Sequence, residues 1–261
     1  MTFTHGYASN GDLRMYYEVH GSTAAGRPPL LLIPGGGSNI ETNFAKILPL
    51  LAASRQVIAV DEEGHGRTAP IGRPLTAENS AADVLAVLDQ LKAETVDVLG
   101  FSAGGHTALA LAMQHPGRVR RLIAASTFFS RDAVPEEFWD GMARATLDDM
   151  PAAYQEADRR LNPGPGHLER LFELDRQRIL GFPGWSDEDL GRITARTLVL
   201  CADRDVVSAE HAVRMSRAIP GARLMIVPGG HGDYLGELAA SDGDLQLMHA
   251  TLPQLLHFLD A

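Results

Sequence analysis

Five residues, Gly100-Phe101-Ser102-Ala103-Gly104, constrain this chain more than any others. They follow Thr95-Val96-Asp97-Val98-Leu99, a β-branched apolar run that predicts a buried parallel strand. They lead into Ala103 to Gln114, whose Ala/Leu spacing predicts a helix ending before Pro116. A strand passing into a helix through G-x-S-x-G turns so sharply that side chains two positions either side of the serine would collide. Glycine at 100 and 104 removes that collision. The central residue is forced into strained backbone, and its hydroxyl is lifted clear of the sheet above the N–H groups of a helix start. Ser102 is therefore the candidate nucleophile.

The flanking sequence repeats the alternation of strand and helix. Residues 3–9 and 13–20 read as two strands around the turn signal Asn10-Gly11, the second (LRMYYEVH) with the aromatic alternation of an outer strand. Leu30–Ile33 and Val57–Val60 are short apolar runs that predict buried strands, with a helix expected from Phe44 to Leu51 between them. Thr76 is placed to cap a helix carrying Ala81, Val84, Leu88 and Leu91 on one face. Arg121–Ala125, Thr197–Ala202 and Leu224–Val227 predict further strands, and a last helix is expected over Asp244 to Leu259. Such a rhythm predicts an α/β fold, a mostly parallel sheet with right-handed crossovers and helices on both faces. It breaks from 127 to 193, where short helical stretches are interrupted by Pro135, Pro151, Pro163 and Pro183. The expected organisation is a core of residues 1–126 and 194–261, with 127–193 as a helical lid inserted between two late strands. The lid segment holds both tryptophans, and Phe128, Phe129, Phe138, Trp139 and Trp185 are the candidate pocket residues.

A serine hydroxyl needs a base to take its proton and an acid to orient that base. In open α/β sheets such groups sit on loops beyond the carboxyl ends of strands. The 197–202 strand runs into Asp203-Arg204-Asp205, and the 224–227 strand into Pro228-Gly229-Gly230-His231. His231 is the expected base. Asp205 is the expected acid, with Asp203 and then Asp233 as alternatives, because the carboxylate nearer the strand is suited to bonding its own turn. His65, in the polar loop after Val60, is expected to hold that loop, and His106 to point away from the reaction. The oxyanion requires two preset backbone donors: Ala103 N–H is one, and the Gly-rich loop after Ile33 supplies the other, Gly36 preferred to Gly37. That loop lacks the phosphate-cradle ending and the dinucleotide spacing, and no metal-ligand spacing occurs. No metal and no cofactor are expected.

Composition narrows the partners. Net charge is −10 over 261 residues, so a nucleic-acid or membrane partner is disfavoured. One cysteine, Cys201, excludes an internal disulfide, and MTFTHGYASN has neither the basic stretch nor the apolar core of a signal peptide. A cytoplasmic protein is expected, monomer or homodimer, with a small molecule as its partner.

Together LLLIPGGGS, VIAVDEEGHGRT, VLGFSAGG, LVLCADRDVV and VPGGHGDYL resemble the α/β-hydrolase superfamily along nearly the whole chain. The likeness is to its small lid-bearing branch of carboxylesterases, enol-lactonases, C–C hydrolases and cofactor-free haloperoxidases. It implies a serine hydrolase of the carboxylesterase or lactonase type, with Ser102, Asp205 and His231 as triad and Gly36 and Ala103 as oxyanion donors. A perhydrolase, C–C hydrolase or lyase on the same triad, or a non-catalytic receptor of the same fold, are the alternatives it leaves. Pro34 departs from the histidine common before the Gly pair, and Ala202 from a frequent glycine.

Overall fold

A computed structural model describes residues 3–23, 26–240 and 244–261. Its sheet is built from β1 (Thr4–Asn10), β2 (Leu13–His20), β3 (Leu30–Ile33), β4 (Val57–Val60), β5 (Val96–Phe101), β6 (Val119–Ala125), β7 (Arg196–Ala202) and β8 (Arg223–Val227). The spatial order is β1-β2-β4-β3-β5-β6-β7-β8. The β1–β2 and β2–β4 pairs are antiparallel and all others parallel. β2 is thus not the outer strand that its alternation predicts; β1 covers its free edge. The hairpin pairs Asn10 with Leu13, so Gly11 and Asp12 form the turn, with Gly11 at φ 56°.

Buried strands with apolar side chains on both faces need helices on both, and the two cores follow from the period of two. Leu31, Ile33, Val98, Leu122 and Val199 face α3 (Ala77–Gln90) and α4 (Ala103–Gln114). Leu30, Leu32, Leu99, Ile123 and Leu200 face the other side, with α1 (Ile40–Phe44), α2 (Leu48–Ala52) and α10 (Gln246–Asp260). The single helix expected from 44 to 51 is in fact this α1–α2 pair. Asn39 caps α1 earlier than the periodicity suggests, and Pro49, which cannot donate to a preceding turn, opens α2.

Between β6 and β7 the regular elements among the described residues are all helical, joined by loops: α5 (Glu136–Arg144), α6 (Ala152–Leu161), α7 (His167–Leu180) and α8 (Asp187–Leu190), with short 3₁₀ turns. Helix α9 (Ala209–Ala218) joins β7 to β8. Residues of α7 bond the loop after β3 and the first turn of α4, which follows β5. β3 runs outward to β4 on one side while β5 and β6 follow on the other, so a crevice opens where the order reverses. Among the described residues no helix is long and apolar enough to cross a membrane.

Candidate active site

Ser102 follows the last residue of β5 and precedes α4, at φ 53° and ψ −120°, a region that non-glycine residues rarely occupy. Its N–H donates to Ala125 O of β6 at 2.8 Å, which pins the turn to the neighbouring strand. A methyl group built on Gly100 would lie 2.6 Å from Ala108 Cβ, and one on Gly104 2.5 Å from Ile33 O, so both positions tolerate only glycine. Among the described residues the Ser102 hydroxyl has no hydrogen-bond partner. It borders a cavity of about 300 Å³ that His231 also lines.

His231 Nδ1 lies 2.6 Å from Asp205 Oδ1. A proton on Nδ1 toward the carboxylate leaves Nε2 with its lone pair. Asp205 accepts also from the Ser126 hydroxyl, from Val206 N–H at 2.8 Å and from Ala202 N–H at 3.2 Å. Burial alone would raise its carboxyl pKa; the bond and charge of His231, with the Ser126 and Ala202 donors, outweigh that and hold it below the ordinary range. Asp203 instead accepts from Gly229 N–H at 2.8 Å, tying the β7 loop to the β8 loop, and Asp233 accepts from Gly230 N–H at 2.5 Å. The Phe101 ring lies against the imidazole, centroids 4.8 Å apart.

The glycine loop after β3 is fastened at two points. Gly35 N–H donates to Asn43 Oδ1 at 2.5 Å, and Gly37 N–H donates to Asp175 Oδ2 of α7. Asn43 in turn donates to Glu237 Oε1 at 3.2 Å, as does the Tyr154 hydroxyl of α6 at 2.7 Å. Gly36 N–H and Ala103 N–H have no protein partner among the described residues, and both residues line the cavity. His65 bonds Glu63 O through Nδ1 at 2.9 Å and Asp175 Oδ2 through Nε2 at 2.7 Å. Burial would lower its pKa, but the Asp175 charge and bond overcome this and raise it to about 9. Arg178, also on α7, is 3% exposed; it donates to Glu62 Oε2, Ala103 O and Thr107 Oγ1, each at 3.0 Å. The insertion therefore grips the first turn of α4 and the glycine loop together.

Of the aromatic residues expected in the pocket, Phe128 and Phe138 line the cavity, with Met142, Met150, Tyr154, Phe172 and Ile179. Phe129, Trp139 and Trp185 do not. Phe129 is fully buried against His211, and its carbonyl accepts from Trp185 N–H at 2.7 Å. Trp139 packs edge-on to Phe128 under the Arg131 guanidinium, and Trp185 packs edge-on to Phe182 and His106. Phe129 and Trp185 thus pack between insertion and core, whereas the contacts of the half-buried Trp139 are to Phe128, Arg131 and Phe138 within the insertion. His106 stacks on Phe182, and burial with the Arg178 charge pushes its pKa down to about 3. Among the described residues no group of three or more His, Cys, Asp or Glu side chains is placed to hold a metal ion.

The alpha/beta hydrolase fold family profile matches residues 28–167. The provisionally named carbamate hydrolase RutD of Caulobacter sp. (strain K31) is 31% identical over 240 residues, 84% of this chain and 89% of its own length. The chain belongs to the alpha/beta hydrolase family. A pimeloyl-[acyl-carrier protein] methyl ester esterase of Neisseria meningitidis (strain FAM18) is 38% identical over 162 residues, 62% of this chain and 57% of its own. The meta-cleavage product hydrolase CumD of Pseudomonas fluorescens IP01 superposes with a TM-score of 0.79 at 21% identity, covering 98% of this chain and 97% of that one. Within this hydrolase frame, Asp175 and Arg178 are the residues that sequence reasoning missed. Both lie on α7, a helix without a motif, and only its packing against the loop after β3 and the first turn of α4 brings them to the site.

Proposed function

We propose that this hydrolase cleaves small carboxylic esters or lactones through an acyl-enzyme on Ser102. His231 Nε2 takes the Ser102 proton as the oxygen attacks the carbonyl, and Asp205 holds the imidazole and the imidazolium it becomes. The tetrahedral oxyanion accepts from Gly36 and Ala103 N–H, each donor accounting for about 10²–10³ in kcat. Protonation of the leaving alkoxide by His231 gives the acyl-enzyme. His231 then activates water, and the acid leaves. Residues 1–126 and 194–261 form the catalytic core in this reading, and 127–193 act as the lid that shapes the acyl and alcohol pockets.

The observation that carries the reading is the 2.6 Å His231–Asp205 contact beside a serine held at positive φ on the same cavity. The free Gly36 and Ala103 amides support it, as does the likeness to an esterase. The test is a panel of short phenyl esters, an enol-lactone and an acid/peroxide pair, run with wild type and Ser102→Ala. Ester or lactone turnover that falls about 10⁴-fold or more in Ser102→Ala is expected. Perhydrolysis, C–C cleavage or lyase activity without ester turnover would replace this substrate class. Ester turnover undiminished in Ser102→Ala would end the nucleophile assignment.

A further inference from the structure

The cavity holds one buried acceptor that the protein does not satisfy. Of the described buried side-chain atoms without a partner, Asp175 Oδ1 alone belongs to a residue lining the cavity. Its companion Oδ2 takes both protein donors, Gly37 N–H and His65. A latch between α7 and the glycine loop is complete with Oδ2, so it gives no reason for Oδ1 to be left bare. An unsatisfied buried acceptor in a native fold is costly and calls for a partner. Apart from Ser102 and His231, the side-chain donors that line the cavity are committed elsewhere. Tyr154 donates to Glu237, Ser126 to Asp205, and Arg176 to Glu173 and Ala143 O. The remaining walls, among them Met142, Met150, Phe172 and Ile179, are apolar and donate nothing.

Position says what the missing partner is. A methyl group built on Gly36 would lie 3.3 Å from Asp175 Oδ1, whereas one on Gly35 would lie 3.2 Å from Ser102 Cβ. The carboxylate, with Oδ2 at 3.4 Å from the same point, thus stands beside the proposed oxyanion donor, one residue further along the loop from the nucleophile. A bare carboxylate there would oppose the developing oxyanion. His65 and Arg178 offset its charge, and their interactions, with the Gly37 N–H bond, hold it ionised against the effect of burial. What remains is a directional acceptor.

We propose that Asp175 is a specificity-determining residue whose Oδ1 accepts a hydrogen bond from a hydroxyl or N–H on the carbon next to the scissile carbonyl. The substrates are then 2-hydroxy or 2-acylamino esters or lactones rather than plain alkanoates. The inference rests on the serine-hydrolase reading of the same cavity. A site built to bond a substrate hydroxyl discriminates strongly against the analogue lacking it, because its own polar group is left unpaired.

The test is calorimetric binding of phenyl butyrate and of each enantiomer of phenyl 2-hydroxybutyrate to the Ser102→Ala protein, where turnover does not intrude. One enantiomer of the hydroxy ester is expected to bind at least about tenfold more tightly than the parent ester. In Ser102→Ala/Asp175→Asn that ratio should fall toward one. The ratio is the readout, since any loosening of the glycine loop weakens both esters alike. Asp175→Glu, which keeps the charge but moves the oxygen by one methylene, should lower the ratio too and serves if the Asn variant does not fold. Equal binding of the two esters by Ser102→Ala, or a preference that survives both substitutions, overturns the assignment. Failure of the serine reading is seen separately, as ester turnover that Ser102→Ala does not abolish.

Discussion

Gly104→Ala perturbs the joint between nucleophile turn and glycine loop with a single methyl group. Built on the existing backbone, that methyl lies 2.5 Å from Ile33 O and 2.8 Å from Ile33 C, and closer still to Pro34 O. An ordinary carbon–oxygen contact is about 3.4 Å, so the end of β3 and the start of α4 would have to separate by about 1 Å. The opposing atoms are all backbone, and no rotamer change relieves them. Overpacking of a filled interior costs about 1–3 kcal/mol. Here the upper end applies, about 3 kcal/mol, because two packed elements move rather than one side chain. At roughly 2–4 °C per kcal/mol for a domain of this size, Tm should drop by roughly 6–12 °C. The displaced backbone leads directly into Gly35 and Gly36, so the Gly36 and Ala103 amides shift apart, and kcat should fall by about the 10²-fold that loss of one donor costs. Thermal unfolding and phenyl-ester kinetics read both effects. Gly117→Ala, where nothing lies within 4 Å of the added methyl, is the control. Wild-type Tm and kcat in Gly104→Ala would refute the account of the joint.

Three other outcomes follow from groups on the insertion and its partners. His65 has a pKa raised to about 9, so folding favours its protonated form. Its contribution is complete below pH about 6.5, is lost as pH rises through 9, and amounts to about 3 kcal/mol at most; urea unfolding should show this loss between pH 6.5 and 9.5 in wild type and little of it in His65→Gln. Arg178→Met leaves Glu62 buried without its guanidinium and should destabilise by about 3–5 kcal/mol by urea unfolding, partly recovered in Arg178→Met/Glu62→Gln. Gly141→Ala, inside α5 with open space around the added methyl, should raise stability by about 0.5–1 kcal/mol in the same assay.

What the sequence discloses about this molecule depends on the range of the interaction. Ser102 and Asp205 follow the buried strands β5 and β7, whereas His231 follows β8, whose Leu224 and Ile226 are exposed, so the three positions were legible as strand ends rather than as uniformly buried runs. The preference for Asp205 over Asp203 supposes that the carboxylate nearer the strand bonds its own turn, yet it is Asp205 that accepts from Ala202 and Val206 N–H, while Asp203 reaches across to Gly229 of the β8 loop. The insertion was opaque because its helices carry no strand-like register. Counting its aromatic residues does not tell which face of each helix meets the cavity: Phe129 and Trp185 pack against His211 and His106 of the core, and Trp139 against Phe128 and Arg131. Asp175 and Arg178, three residues apart on α7, look like an ordinary solvated pair in sequence. Their burial against Gly37, His65 and Glu62 is a consequence of tertiary packing alone.

The most direct measurement of the central claim is peptide mass mapping after treatment with a fluorophosphonate ester, which reacts with an activated serine oxygen. The adduct should sit on the peptide containing Ser102, be absent in Ser102→Ala, and form at least about 10²-fold more slowly in His231→Ala. An unlabelled protein, or an adduct on another residue that forms equally fast without His231, would contradict the account.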